Sequence, residues 1–255
     1  MRTRFEPGPI PKFLPSAEVR GKQLRRSMGE KIAAEIKGAI LTGRTPAGTK
    51  LNQQQLAEQF EVSTTPIREA LRTLEAQGLV QIDSYTGASV FTPTLDDMTS
   101  LYNIRLALCS LVAKGVVGRI TQQQFNRAQE ANERLAAVDE GSDWLEANRA
   151  FHAALDEAIE DSRLGTLWKE LGIVSMIYVN MSLPFRPAAQ HGAYREHVSL
   201  LEAYAKADVA RVSSLLAEHL TNTFNGCKMA MANLQDLESE AVTTLNDSEM
   251  KKGGG

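Results

Sequence analysis

The chain has 255 residues, 43% of them hydrophobic and 23% charged, with two cysteines and a formal net charge of −3. That length accommodates two domains with cores of their own, and the balance of apolar and charged residues excludes a disordered or fibrous chain. Net acidity argues against a nucleic-acid partner only until it is divided: residues 1–93 hold 13 Lys+Arg against 9 Asp+Glu and the remainder 15 against 22, so the positive charge is confined to the N-terminal part.

Residues 1–22 combine Pro7, Pro9, Pro11 and Pro15 with Arg2, Arg4, Lys12, Arg20 and Lys22 and show no periodicity. They read as a flexible basic arm, either laid along DNA phosphates or a tail without a role. No apolar run opens the chain as a signal peptide would. The later apolar stretch Leu171–Phe185 is short and broken by Ser175, Asn180 and Ser182. No membrane span is expected, and the cytoplasm is the expected compartment. Cys109 and Cys227 lie far apart without CxxC spacing, which reads as two buried, reduced thiols.

A first helix is predicted over about 24–41, with Met28, Ile32, Ile36, Ala39 and Ile40 on its buried side. In the stretch from Leu51 to Leu79, Leu56, Ala57 and Phe60 share one helical face, Glu61-Val62-Ser63 makes a break, and Ile67, Ala70, Leu71 and Leu74 resume the helical spacing. This is a helix-turn-helix: small Ala57 permits a close crossing, Val62 plugs the turn, Ser63 or Thr64 caps the second helix, and Pro66 fits its first turn. The outward side of that helix offers Thr64, Thr65, Arg68 and Arg72, donors suited to phosphates and to purine edges in a major groove. The alternative for the two arginines is a solvated face paired with Glu69 and Glu75. Leu79–Ile82 and Ala88–Phe91 then read as two strands with 83–87 as their turn, so residues 23–93 are predicted to form a winged helix-turn-helix.

From Ile36 to Val90 these motifs resemble the GntR family of bacterial transcription regulators: Pro46-Ala47-Gly48, Leu51, Leu56-Ala57, Val62-Ser63, Thr65 to Leu71, Leu74, Gly78-Leu79 and Gly87. The resemblance implies DNA contacts from Thr65, Arg68 and the wing tip at Thr86 and Gly87, with Gln54 at a further contact position. Thr64 stands where the family carries a DNA-touching arginine, so the operator sequence does not carry over.

After Pro93-Thr94 the strand signal ends. Amphipathic helices are predicted at about 95–118, 121–139, 142–160, 162–183, 188–206 and 208–233, making residues 94–233 an antiparallel six-helix bundle and the fold mainly α. Residues 234–255, acidic and polar, are expected to be a disordered tail. Asn148 and His152 are four apart on the third bundle helix. His197 and His219 are equidistant from the turn at Asp208, which puts them at one height in an antiparallel hairpin. Three imidazoles and an amide oxygen converging there would hold a divalent metal: zinc by ligand type, with nickel or manganese as alternatives, and with positions left open for ligand.

The bundle resembles the FCD ligand-sensing domain of the FadR subgroup, and six helices rather than seven suggest its VanR-like branch. The family's acidic residue before Phe-His, its Glu-His and its His-Leu read here as Asn148, Phe151-His152, Glu196-His197 and His219-Leu220. Two departures are the neutral Asn148 in place of an acid and Cys109 in place of a glutamate. Arg105, three residues after Tyr102, is a candidate bidentate contact for an effector carboxylate. A structural pair with a neighbouring glutamate is the alternative, and the resemblance favours the cavity. The expected function is a homodimeric transcription repressor. It would bind an inverted-repeat operator in double-stranded DNA under control of a small carboxylate held at the metal site, with Arg105 and Tyr102 as effector contacts. The competing readings are a metal-dependent hydrolase, which needs a general base near the histidines that Glu146, Asp156 and Glu196 do not obviously supply, and a bundle that only dimerises.

Overall fold

The computed structural model describes the backbone of residues 28–138, 141–185 and 189–252. The arm expected at 1–22, the chain end at 253–255 and the side chain of His191, expected at the surface, lie outside what it describes.

The first domain consists of α1 (Met28–Leu41), α2 (Gln53–Phe60), α3 (Thr64–Ala76) and the hairpin β1 (Val80–Asp83) with β2 (Gly87–Val90). Ile32, Ile36 and Ile40 of α1, Leu56 of α2, and Ile67, Leu71 and Leu74 of α3 are buried together as its core. Truncating any of them to alanine is expected to cost about 2–5 kcal/mol. Met28, expected on the buried side, is half exposed instead. Its neighbour Gly29 makes the close approach, where a Cβ would lie 3.1 Å from Glu69 Cβ, and one residue along a helix turns Met28 outward. The side chain of Asn52 caps α2 by accepting from the amides of Gln54 and Gln55, and Glu61 ends it in the left-handed conformation at φ 56°. Ser63 occupies the N-cap position of α3 but makes no side-chain capping bond, contrary to expectation.

In the hairpin, Val80 pairs with Val90 and Asp83 with Gly87. Asp83 Oδ1 accepts from the amides of Tyr85 at 2.9 Å and Thr86 at 2.7 Å, and Gly87 closes the turn at φ +79°, a conformation glycine adopts without strain.

The second domain holds α4 (Leu95–Val117), α5 (Gln122–Ala137), α6 (Ser142–Asp156), α7 (Arg163–Ser182), α8 (Ala189–Ala205) and α9 (Val209–Lys252). Three of its helices start where side chains accept first-turn amides: Thr94 for α4, Thr121 in a capping box with Gln124 for α5, and Ser162 for α7. α4 packs along α9 and α7, α5 along α6 and α8, and α8 along α9. α4 is long and apolar enough to cross a membrane, yet it lies within this packing. α6 ends at Asp156 and is followed by a short 3-10 turn rather than running to 160. The tail expected from 234 is helical through Lys252. Between Gly226 and Gly253 no glycine or proline interrupts the chain, and Leu234, Leu237, Ala241 and Leu245 keep a helical spacing. Cys109 and Cys227 are buried and free.

The two domains meet closely. A Cβ on Gly43, at φ +74°, would lie 2.6 Å from Asn180 Nδ2, and one on Gly78 3.3 Å from a methyl of Val174, both partners being on α7. Tyr178, also on α7, donates to Asp97 Oδ2 at 2.6 Å in the first turn of α4 and sets its ring edge-on to Phe91 beside the hairpin.

Candidate functional site

At the first domain's surface, Thr64, Thr65, Arg68 and Arg72 are all exposed along α3, Gln54 is exposed in the first turn of α2, and Thr86 and Gly87 are exposed at the hairpin tip. Neither arginine forms an ion pair among the described residues, so the solvated pairing with Glu69 and Glu75 is not made. Sequence reasoning passed over two residues at the tip. Tyr85 is 97% exposed, and Lys50 Nζ donates to Thr86 O at 3.4 Å. An aromatic residue inside a polar turn was the available signal for Tyr85; nothing in sequence ties Lys50 to a turn 36 residues on.

In the helical domain, His152 of α6, His197 of α8 and His219 of α9 come together. Their ring centroids are 5.0, 5.1 and 5.2 Å apart, and one ligating nitrogen from each lies within 4.8 Å of the others. Asn148 is buried one turn before His152 and lines the same cavity. Burial, with the neighbouring histidines adding to it, holds His152 and His197 well below the usual histidine range, which keeps them neutral as metal donors must be. Each of the other two rings is oriented by a partner. His197 Nδ1 lies 3.1 Å from Asn132 Oδ1, so it carries the proton, and Nε2 is buried without a hydrogen-bond partner among the described residues. His219 Nδ1 lies 2.6 Å from Glu196 Oε2, whose other oxygen accepts from Asn222 at 2.7 Å. An orphaned buried nitrogen facing two more imidazoles fits a divalent metal, and the carboxylate behind His219 is the support such ligands have. Asn132 was not legible: it is 65 residues from His197 in sequence.

A cavity of about 1250 Å³ adjoins the histidines and is lined by Tyr102, Arg105, His152, Asp156, Ser175 and His219, among others. Arg105 is held by Nη1 donating to Ser175 Oγ at 2.8 Å and by its guanidinium lying 4.6 Å from the Trp168 ring centroid. Its Nε is buried without a hydrogen-bond partner among the described residues. No glutamate pairs with it among the described residues, so the structural-pair alternative is not realised. Tyr102 is buried and packs on Phe224 at 5.6 Å. Cys109 Sγ donates to Arg105 O at 3.4 Å, and burial pushes its thiol up. Asp156, which the sequence does not obviously place on the ligand face, lines the cavity one turn after His152 and accepts from Trp168 Nε1 at 2.9 Å. Burial raises its carboxyl to about 7, against the opposing pull of Arg105. Glu196 also lines the cavity, but its oxygens serve His219 and Asn222.

Residues 28–90 match the family model of bacterial regulatory proteins of the gntR family, and residues 100–222 match the FCD domain. The chain is 30% identical over 189 residues to the "Probable D-xylose utilization operon transcriptional repressor" of Paenarthrobacter nicotinovorans, covering 70% of this chain and 80% of that one. It is 24% identical over 205 residues to the gluconate operon transcriptional repressor of Bacillus licheniformis, covering 79% and 84%. Among solved structures it superposes on Escherichia coli McbR/YncC with a TM-score of 0.69 at 21% identity, over 80% of this chain and 99% of that one. The gntR family model describes regulatory proteins and the two relatives are named transcriptional repressors, not enzymes, which leaves the hydrolase reading without support from them.

Proposed function

Because this chain belongs to the GntR family and is a DNA-binding transcription regulator with an FCD domain, we propose that it is a cytoplasmic, homodimeric repressor whose operator affinity is set by a small carboxylate bound in the helical domain. The single observation that carries the ligand reading is that one cavity is lined both by Arg105, whose Nε is buried and unpartnered among the described residues, and by His152 and His219, which cluster with His197. The acid near this guanidinium, Asp156, is itself raised to about 7 by burial and so compensates the charge only in part, and a ligand carboxylate supplies the rest. Asn148, His152, His197 and His219 would hold the metal, zinc by its nitrogen donors with nickel or manganese as alternatives, and it would supply a Lewis-acidic centre for a carboxylate oxygen.

Coupling to DNA follows from α4 and α7. Arg105 lies on α4, whose first residue follows the hairpin by a few positions, and Ser175, its partner, is one turn from Tyr178, which grips Asp97 at the start of α4. A ligand that pulls Arg105 from Ser175 alters the seating of α4 on α7 and thereby the aim of the reading head. The effect equals the ligand's differential affinity for the two seatings. Exposed Ile104, Ala107 and Leu111 form an apolar stripe along α4, which supports a second copy packing there. The paired α3 helices would then meet half-sites of an inverted repeat about one DNA turn apart.

The test is thermal unfolding of metal-loaded and chelator-stripped protein with a panel of small mono- and dicarboxylic acids, followed by operator binding. A ligand at about 100 times its dissociation constant adds about 2.7 kcal/mol, a visible midpoint shift. Midpoints indifferent to every acid, or operator affinity unchanged by acids that bind, would reject the reading.

A further inference from the structure

The large cavity does not end within the helical domain. Its lining includes Lys37 and Leu41, both on α1 of the reading head, together with Arg149 of α6 and Lys169 of α7. Lys37, Leu41 and Arg149 also border a smaller adjoining cleft of about 270 Å³. Two of the three cations there are matched by acids that line the same clefts: Arg149 pairs with Glu146, which borders the smaller one, at 2.7 Å, and Lys169 with Glu160, which lines the larger, at 2.6 Å. Lys37 has no ion pair among the described residues; its ammonium donates only to the neutral Gln77 Oε1, at 3.1 Å. It is half-buried, and burial, with Lys169 and Arg149 adding to it, lowers its pKa, which means the site as it stands disfavours this charge and an anion there would relieve it.

From this placement we infer that the domain boundary holds a second anion subsite, formed by Lys37, Arg149 and Lys169, which receives the far anionic group of a dianionic effector whose near carboxylate occupies the Arg105 end. The inference rests on the carboxylate reading of the cavity and narrows it to dicarboxylic acids. The volume agrees, since about 1250 Å³ exceeds what a short monoacid fills. Lys37 is also placed to report occupancy. Gln77, its present partner, is the residue that terminates α3, the helix carrying Arg68 and Arg72. An anion that takes the Lys37 ammonium withdraws that contact from the end of the recognition helix.

The experiment is calorimetric titration of the full-length protein with α,ω-dicarboxylates from succinate to suberate, each against the monocarboxylate of equal length. Wild type, Lys37→Gln and Lys169→Gln are compared, with operator affinity measured in parallel. Lys169 is more than half exposed, so its variant folds even if Lys37→Gln disturbs the α1 contact. Expected is at least a tenfold preference of wild type for the best-fitting diacid. Each variant loses that preference while keeping its affinity for the monoacid, and Lys37→Gln also loses the diacid's effect on operator binding. A diacid preference that survives in both variants, or no preference in wild type, overturns the subsite while leaving the carboxylate reading in place. Binding of no acid to wild type overturns both. Arg105→Gln, expected to weaken mono- and diacid alike, reports on the cavity reading and not on the subsite.

Discussion

Asn132 Oδ1 stands 3.1 Å from His197 Nδ1, and this one contact decides which nitrogen of the buried ring faces the cluster. Asn132→Leu removes it without removing a ligand. The expected result is a 10- to 100-fold loss of zinc affinity, on the order found for such supporting residues, read by competition with a chelating dye. Glu196→Gln should do the same through His219. Unaltered zinc affinity in both variants would show that the rings are held by packing alone, with Phe151 stacked 3.8 Å from His197 the obvious agent.

At the reading head, Arg68→Ala is expected to weaken operator binding by about 1–3 kcal/mol if it reads a base edge bidentately. Arg72→Ala would weaken binding across sequences and flatten the salt dependence if that residue meets phosphate. Fluorescence anisotropy on specific and scrambled duplexes at several salt concentrations separates the two. The fully exposed Tyr85 at the hairpin tip gives a third variant, Tyr85→Ala, expected to lose affinity on both duplexes.

Asp156 gives a pH prediction. Its carboxyl titrates near 7 in the folded protein, raised by burial from an ordinary value of 3.8. Below about 7 it is neutral beside Arg105, and above it the carboxylate competes with the ligand for the same guanidinium. Carboxylate affinity should therefore fall as pH rises from 6 to 8, and Asp156→Asn should abolish that fall. The stability sign agrees: between about 4 and 7 the folded state binds a proton that the unfolded state has released, so this group lowers stability as pH rises across that window. Parallel pH profiles for variant and wild type, in calorimetry or in melting, would discount it.

Leu111→Glu places a charge in the middle of the exposed stripe on α4. If a second copy covers that stripe, the dimer dissociation constant should rise by about tenfold or more, visible by light scattering on a size-exclusion column, with the melting curve of the monomer intact. A variant that remains dimeric at low protein concentration moves the interface elsewhere.

Much of this molecule was legible beforehand because its signals are local or symmetric. Period-3.6 spacing found the helices, and the equal distances of His197 and His219 from Asp208 predicted their meeting. Failures fall where a feature depends on contacts between distant segments. Met28 follows the helical pattern but is displaced by the close approach at Gly29. Asp156 faces the cavity because it lies four residues after His152 on one face of α6, a local signal, but its raised carboxyl depends on burial among Trp168 and Arg105, brought from two other helices. Asn132 and Lys37 belong to the site only through the packing of α5 against α8 and of α1 against α7. In the acidic tail, the polar composition masks a run without helix breakers.

Gly43 leaves the Asn180 amide no room for a side chain at that joint. Anyone grafting this sensor onto another reading head to build a biosensor would meet the constraint at once. Cutting after Pro93 looks natural from the order of the elements, yet a foreign head that carries alanine at the place of Gly43 would arrive with a wedge in the seam. Such a hybrid would be expected to bind its operator and its acid separately while losing communication between them, and restoring a glycine there is the first repair to try.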